Sequence, residues 1–154
     1  MAKTIIKNLE QFKSMVGQEL GTSSWRSVTQ NDINAFADAT KDYQWIHIDV
    51  ERCKKESPFK TTIAHGYYTL SLAPAIMDEI VSVEGVKMGI NYGLNKVRFT
   101  APVKVDSKVR MKAEIQDVRD IPGGGVQGTL KLTFEIEGEK KAACVAEAIY
   151  LYYA

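Results

Sequence analysis

GYYTLSLAPAIMDEIV, residues 66–81, is the most apolar helix candidate in this sequence. Its apolar side chains recur on almost every side of a helical projection, at Tyr67, Tyr68, Leu70, Leu72, Ala73, Ala75, Ile76, Ile80 and Val81. A helix that is apolar all round is typical of a buried element, so we predict one central helix here. Pro74 lacks a backbone N–H, and we expect it to bend this helix or to remove one of its hydrogen bonds.

After Gly85, apolar residues alternate with polar ones, which indicates β-strands with one buried and one solvated face. The alternating positions are Val97 and Phe99, then Val109, Met111, Ala113 and Ile115, then Leu130, Leu132, Phe134 and Ile136. A fourth run, 142–153, is apolar on both faces and is predicted to lie centrally or at a subunit contact. The sequence therefore predicts the α+β class, with a meander of about four long antiparallel strands wrapped around the helix.

Shorter elements precede the central helix. The stretch 21–28 is rich in the β-branched and aromatic residues of strands. Thr29 and Asp32 predict the start of a helix that ends near Thr40, and Asp49 is predicted to cap another helix directly after it. Between these two helices the chain passes through a polar and aromatic stretch, 41–49.

Composition and charge restrict the classes of function. The chain has 154 residues, and we predict a single domain over 1–154. With 20 Lys and Arg against 19 Asp and Glu and no basic run, the sequence does not favour a nucleic-acid partner. No segment approaches the ~20 apolar residues of a membrane-spanning helix and no signal peptide is visible, so we expect a cytoplasmic protein without membrane contact. Cys53 and Cys144 form no metal-ligand spacing.

The first candidate catalytic residues lie in 41–49, KDYQWIHID, where Asp42 and His47 are five positions apart. A carboxylate and an imidazole that project into one pocket can hold a water molecule and pass a proton to carbon, and the ordinary His pKa of ~6.5 suits that role. The alternative is that Asp42 is an ordinary turn or cap residue with a histidine nearby. Spacing alone leaves both interpretations open.

A second candidate site lies at His65 and Gly66, where the central helix begins. The first N–H groups of a helix have no intrahelical partner, so the Gly66 N–H would be free to bond a carbonyl oxygen that gains negative charge. Glycine also leaves room for a thioester to approach. The alternatives are that Gly66 only eases the turn into the helix, and that His65 is a packed, hydrogen-bonded histidine and makes no contact with substrate.

The segments that carry these residues resemble one protein family. The segments 42–49, DYQWIHID, and 64–72, AHGYYTLSL, are similar to the signatures of the MaoC-like dehydratases, the (R)-specific enoyl-CoA hydratases. The segment 91–99, NYGLNKVRF, followed by Pro102, is similar to that family's third recurrent segment. The first segment is closest to the nodulation protein N-like branch. The resemblance covers about residues 17–153 and implies a hotdog fold, in which an antiparallel sheet wraps a long helix.

By position, the resemblance implies reversible hydration of a trans-2-enoyl-CoA to an (R)-3-hydroxyacyl-CoA. Asp42 and His47 would hold the water, one taking its proton while the other delivers a proton to the α-carbon, and the order of these roles stays open. The Gly66 N–H would stabilise the enolate oxygen. No metal or redox cofactor is expected, and coenzyme A enters only as part of the substrate.

The sequence departs from the family's usual Gly-Asp-x-Asn-Pro-Ile/Leu-His pattern at three positions. Lys41 replaces the glycine, Gln44 the asparagine and Trp45 the proline. Gln44 retains an amide for a polar contact, and we expect the bulkier Trp45 to reshape the acyl pocket. The predicted substrate-binding residues are Gln44, Trp45, His65, Tyr67, Asn95 and Arg98.

Several alternatives accompany these assignments. Tyr67 and Trp45 line an apolar tunnel or are simply core aromatics, and Arg98 lies near the pantetheine or the dimer contact or is an ordinary outward-facing strand residue. The same fold also serves acyl-CoA thioesterases, and a non-catalytic acyl-thioester-binding protein is a further possibility. The intact Asp42, His47 and Gly66 favour the hydratase. We expect a homodimer or a higher homo-oligomer, because an open sheet leaves an edge strand that a second copy can pair.

Overall fold

The computed structural model describes residues 2–154, so Met1, the first residue of the predicted domain, lies outside the described residues. The helices are α1 (Leu9–Ser14), α2 (Gln30–Thr40), α3 (Trp45–Ile48), α4 (Val50–Glu56), α5 (Gly66–Ser71) and α6 (Ala73–Ile80). The strands are β1 (Thr4–Ile6), β2 (Glu19–Thr22), β3 (Arg26–Ser27), β4 (Val81–Val83), β5 (Met88–Arg98), β6 (Lys108–Ile121), β7 (Gly125–Ile136) and β8 (Cys144–Tyr153). Among the described residues, no helix combines the length and the apolar character needed to cross a membrane.

The long strands form one antiparallel sheet in the order β2–β6–β7–β8–β5, with β3 also paired to β6. Strands β6, β7 and β8 form the predicted meander. The prediction is wrong for β5, which pairs with β8 and not with its sequence neighbour β6. The alternating pattern fixes which face of a strand is buried, but it carries no information about which strand lies beside it. The run 142–153 contains β8, which lies between β7 and β5, so the prediction of a central position is confirmed.

The central helix is present but is not one continuous helix. It divides at Leu72 into α5 and α6. Pro74 is the second residue of α6 and has no N–H to donate to Leu70, and the Leu72 N–H bonds instead to the Thr69 carbonyl at 3.2 Å. The break therefore confirms the expected effect of the proline, because the backbone bond that would join the two halves is missing.

The prediction that this helix is buried all round is wrong for the single chain. Its buried residues are Thr69, Ala73, Ile76, Met77 and Ile80. The exposed residues are Tyr67, Ser71, Pro74, Ala75 and Asp78, which form a second face. The buried face packs on the inner face of the sheet, where the alternating residues Val109, Met111, Ala113, Leu130, Leu132 and Phe134 are 0–1% exposed. Apolar composition alone did not separate a core face from one left open to solvent.

The N-terminal half supplies the elements that hold the candidate site. Thr29 and Asp32 form a complete capping box at the start of α2, and Asp49 caps α4, as predicted. The predicted strand over 21–28 is interrupted and appears as β2 and β3. Two features were not predicted. These are the one-turn helix α3, and the parallel pairing of β1 with β4, which attaches the N-terminal strand to the end of α6.

Candidate active site

The end of α2 delivers Asp42 to the site. Lys41, the C-cap of α2, adopts a left-handed conformation with φ of 67°, and its N–H bonds to the Ala37 carbonyl. This turn reverses the chain, and Asp42 follows it with a half-exposed side chain. The Asp42 Oδ1 accepts a hydrogen bond from the Gln44 N–H at 3.3 Å. Asp42 therefore makes a turn contact, as the alternative interpretation of the sequence had it, and still presents a carboxylate at the surface of the site.

The geometry fixes the protonation form of His47, which α3 carries and which is 7% exposed. Its Nδ1 lies 2.7 Å from the Ile63 carbonyl oxygen. A carbonyl oxygen only accepts hydrogen bonds, so Nδ1 must carry the proton and donate. The neutral ring then has an unprotonated Nε2 with a free lone pair. His47 is thus held as a base.

The surroundings of His47 favour this neutral form. Burial lowers its pKa from the ordinary value of 6.5, and the charge that His65 can carry lowers it further. The hydrogen bond to Ile63 and the nearby Asp42 carboxylate raise the pKa, but burial is the largest influence. At neutral pH the His47 imidazole is therefore unprotonated at Nε2 and can accept a proton.

His65 connects the two candidate catalytic residues. Its Nε2 lies 3.1 Å from the Asp42 backbone oxygen and 3.9 Å from the Asp42 Oδ2. Its ring stacks on His47 with the centroids 3.9 Å apart, and the ring of Phe36 packs against it with the centroids 4.9 Å apart. At 3% exposure, the ring is surrounded by protein. The ring of His65 is therefore packed as the alternative interpretation predicts, but only its Nε2 is hydrogen-bonded, and its buried Nδ1 has no partner among the described residues.

Asp42, His47 and His65 have potential ligand atoms within 4.8 Å of one another, so their fit to a metal ion can be tested. An ion bound to an imidazole nitrogen lies close to the plane of that ring. The planes of His47 and His65 are stacked and inclined by only 23°, so they meet far from both rings. One nitrogen of each ring is also directed at a backbone carbonyl. This donor set does not fit a shared metal ion.

Gly66 begins α5 directly after His65, the residue whose ring stacks on His47. His65 is the N-cap residue, and its side chain makes no hydrogen bond to the helix N-terminus. A Cβ on Gly66 would lie 2.9 Å from ring atoms of Phe99, which is too close for a real side chain. The Phe99 ring also meets Tyr67 edge to face, with the centroids 5.8 Å apart. Phe99 therefore covers Gly66, and it is a site residue that the alternating pattern assigned only to a strand face.

The other predicted substrate-binding residues are placed differently. Gln44 is exposed at the start of α3, next to Asp42. Trp45 is covered by the Arg52 guanidinium of α4, which lies 4.1 Å from the Trp45 ring centroid. Asn95 is exposed at a β-bulge of β5. Arg98 lines a depression on the outer face of the sheet with Lys96, Lys131 and Glu147, so its outward-facing interpretation fits this chain. The structure thus brings Asp42, His47 and His65 together, with Gln44 bonded to Asp42 and Gly66 next to His65 in the chain. Arg98 lies instead on the outer face of the sheet.

Two adjoining cavities follow the exposed face of the central helix. Their volumes are about 270 Å³ and about 500 Å³, and both are lined by Pro74, Asn91 and Tyr150. Leu70, one turn beyond Gly66, lines the smaller cavity. A groove of mixed polar and apolar lining therefore lies between the helix and β5, and none of Asp42, His47, His65 and Gly66 lines either cavity. The sequence patterns did not identify Asn91 or Tyr150, because their role depends on the pairing of β5 with β8.

Comparison with known sequences supports the resemblance found in the motifs. The family model described as MaoC like domain matches residues 11–135. The 3-hydroxyacyl-thioester dehydratase Z of Mycobacterium tuberculosis is 49% identical over 148 residues, which cover 96% of this chain and 97% of that protein. Nodulation protein N of Rhizobium leguminosarum bv. viciae is 43% identical over 143 residues, which cover 92% of this chain and 89% of that protein. The predicted similarity to both groups is confirmed.

Comparison with solved structures confirms the hotdog fold. A monoamine oxidase regulatory protein from Archaeoglobus superposes with a TM-score of 0.79 at 25% identity, covering 100% of this chain and 99% of that one. The (R)-hydratase of A. caviae superposes with a TM-score of 0.71 at 23% identity, covering 88% of this chain and 94% of that one. The second likeness is evidence for the fold alone.

Proposed function

The chain belongs to the MaoC-like dehydratase family, and we therefore propose that it interconverts trans-2-enoyl-CoA and (R)-3-hydroxyacyl-CoA by adding or removing water. The observation that carries this proposal is the state of His47. Its Nδ1–H is held by the Ile63 carbonyl, its Nε2 is left basic, and the Asp42 carboxylate lies nearby. A base and a carboxylate at one site can orient and activate a water molecule.

In the hydration direction, the water oxygen bonds to the β-carbon while one water proton passes to the Nε2 of His47. The electron pair of the double bond moves toward the thioester carbonyl, which becomes an enolate oxygen. The His47 imidazolium then returns a proton to the α-carbon, which regenerates the neutral base. Asp42 holds the water and stabilises the imidazolium while it exists. This sequence of steps conserves every atom and uses no metal or redox cofactor.

Gly66 has the role of the donor to the enolate oxygen in this proposal. Its amide lies at the beginning of α5, beside His65, and His65 does not cap it with its side chain. A preorganised N–H at such a position lowers the barrier because it bonds the charged oxygen more strongly than the neutral carbonyl, and removal of one donor of this kind typically costs about 100- to 1,000-fold in rate. Phe99 and Tyr67 form the aromatic wall beside this amide.

The remaining predicted contacts have supporting roles in the proposal. His65 bonds the Asp42 backbone carbonyl, and the backbone N–H of Gln44 donates to the Asp42 carboxylate. Trp45, covered by Arg52, is proposed to shape the rim of the acyl pocket. Asn95 and Arg98 lie on β5 and are proposed to contact the pantetheine or the other subunit of a dimer.

We also propose that the single domain acts as a homodimer. Strand β5 pairs on one side with β8 and lies at the edge of the sheet in this chain. It exposes Met88, Ile90, Tyr92 and Leu94, which are 37–62% accessible to solvent. An edge strand with exposed apolar side chains is a template for pairing with another strand, and a second copy offers the same strand.

The decisive experiment mixes the purified protein with crotonyl-CoA and follows the loss of the conjugated-thioester absorbance. Chiral analysis of the product and the variants Asp42→Asn and His47→Gln accompany it. The control is Glu51→Gln, which removes an exposed carboxylate on α4 that pairs with Lys54. We expect the (R)-3-hydroxy product from the wild type and from the control, and a loss of about 100-fold or more in both site variants.

Two other outcomes would select another function. Release of CoA without a hydrated product would identify a thioesterase on the same fold. Binding of acyl-CoA without turnover of crotonyl-CoA or of longer and branched enoyl-CoAs would identify a non-catalytic binding protein, especially if Asp42→Asn and His47→Gln bind as well as the wild type does.

A further inference from the structure

We propose that Gln30 and Thr62 are positioning residues that fix the main chain of His47, an inference that rests on the proposed function of that histidine. Gln30 is the first residue of α2, and its Nε2 donates a hydrogen bond to the His47 carbonyl oxygen at 2.8 Å. Its Oε1 accepts a hydrogen bond from the Thr62 hydroxyl. Thr62, in turn, is fully buried. The amide of Gln30 thus links α2, α3 and the segment before α5.

The contacts fix the orientation of the Gln30 amide. Its Nε2 also donates to the Asn34 Oδ1 at 3.0 Å, so both of its N–H groups are directed at oxygen atoms. The His47 carbonyl can only accept, so a flipped amide would place two oxygen atoms against each other. The Thr62 hydroxyl bonds the remaining oxygen of the amide. The His47 carbonyl therefore fixes the orientation of the amide, and the amide oxygen is left to accept from the Thr62 hydroxyl.

The two ends of His47 are held by consecutive residues. The Ile63 carbonyl holds the ring through Nδ1, and Thr62 holds the His47 carbonyl through Gln30. This two-residue segment is itself fixed, because the Thr62 carbonyl accepts from the Val105 N–H at 3.0 Å and the Ile63 N–H donates to the Ile46 carbonyl at 3.1 Å. The position of Nε2 is thus set from both the backbone and the ring.

The helix that carries His47 needs this outside support. α3 has only four residues, and its N-cap residue makes no side-chain hydrogen bond. A single helical turn is not stable on its own, because nucleation fixes several dihedral angles for each hydrogen bond formed. Contacts from outside the turn must therefore fix the position of the His47 backbone, from which its side chain projects. Gln30 supplies such a contact from the firmly capped start of α2.

The test uses two variants that break the network from opposite ends. Gln30→Met keeps the length of the side chain and removes both polar atoms, and Thr62→Val keeps the shape and removes the hydroxyl. Thr62→Ser is the conservative variant that restores the hydroxyl. The matched control is Asn34→Ala, because Asn34 accepts the other N–H of Gln30 and is bonded to neither Thr62 nor His47.

Two readouts separate positioning from general stability. The first is kcat and KM for crotonyl-CoA, for which we expect kcat to fall roughly tenfold in Gln30→Met and Thr62→Val, as a small misplacement of a reacting group predicts, with KM changed by less than about twofold. The second is ¹⁵N NMR of the imidazole nitrogens. The sequence has only two histidines, so their signals are readily separated. We expect the signals of Gln30→Met and Thr62→Val to show a mixture of the Nδ1–H and Nε2–H tautomers of His47, and those of Thr62→Ser to show the Nδ1–H tautomer alone.

The proposal is overturned if either folded variant keeps the wild-type kcat and the wild-type His47 nitrogen signals, or if Asn34→Ala impairs His47 as much as they do. Both variants break the hydrogen bond between Thr62 and Gln30, so the test stays decisive if one of them does not fold. A wild-type protein without hydratase activity would contradict the proposed function but not the positioning, because the NMR readout decides the positioning without turnover.

Discussion

The imidazole rings of His47 and His65 lie face to face, with their centroids 3.9 Å apart and their planes inclined by 23°. A charge on His65 therefore disfavours a charge on His47, at a site where both rings are buried. His65 also bonds the Asp42 carbonyl through Nε2. The two histidines are 18 positions apart in the sequence, and both lie close to the Asp42 carboxylate.

The first prediction concerns pH. Burial, assisted by His65, lowers the pKa of His47 below its ordinary value of 6.5. On acidification the unfolded chain therefore takes up this proton before the folded chain does, so the free energy of unfolding should fall as the pH drops from 6.5 through the lower pKa of the folded state. Above 6.5 this contribution is fully retained. Urea unfolding across this window and an NMR titration of His47 measure both effects.

The control for this prediction is His47→Gln, which should lose that part of the pH dependence. The acid limb of kcat/KM should also lie below 6.5, because the neutral ring is the active form. A measured His47 pKa above 6.5 would contradict the expectation that burial keeps this ring neutral.

The second prediction concerns the space at Gly66. In Gly66→Ala the new methyl group would lie 2.9 Å from the Phe99 ring, so Phe99 must move. We expect a loss of about 1 kcal/mol in the free energy of unfolding, at the low end of overpacking, because Phe99 is 46% exposed and can move toward solvent. The double variant Gly66→Ala/Phe99→Leu should recover much of it. Thermal and urea unfolding of the single and double variants measure the coupling, and strict additivity would show that the two residues do not meet.

The third prediction concerns the edge strand. Tyr92 on β5 is 62% exposed, and Tyr92→Lys places a charge in the proposed contact between two copies. We expect this variant to shift from dimer to monomer in size-exclusion chromatography with light scattering. Val50→Lys is the matched control, since Val50 is an exposed apolar residue on α4. A wild-type protein that is monomeric at all concentrations would contradict the proposed dimer.

The fourth prediction concerns the start of α2. The Thr29 Oγ1 accepts the Asp32 N–H at 3.1 Å, and the Asp32 Oδ2 accepts the Thr29 N–H at 3.2 Å. Thr29→Ala removes the first of these bonds and should lower the free energy of unfolding by about 0.5–2 kcal/mol, whereas Thr29→Ser should lose much less. Equal stability of the alanine and serine variants in urea unfolding would show that the cap contributes nothing.

Local patterns sufficed where the physical cause is local. The capping residues Thr29 and Asp49 were identified because a side chain and the N–H groups of the following turn lie within four residues of each other. The buried faces of β6 and β7 were identified because alternate side chains of any strand point to opposite faces. Pro74 marked the weak point of the central helix because its missing N–H is a property of the residue itself.

The motifs also named Asp42, His47 and Gly66, but residue type could not give the state of these groups. The base form of His47 depends on the Ile63 carbonyl, and the crowding at Gly66 depends on Phe99, 33 positions away. The position of β5 beside β8 likewise follows from packing across the whole sheet. Periodicity and short-range hydrogen bonding depend only on residues that are close together in the sequence. Protonation, crowding and strand order arise only when distant segments of the chain meet and exclude water.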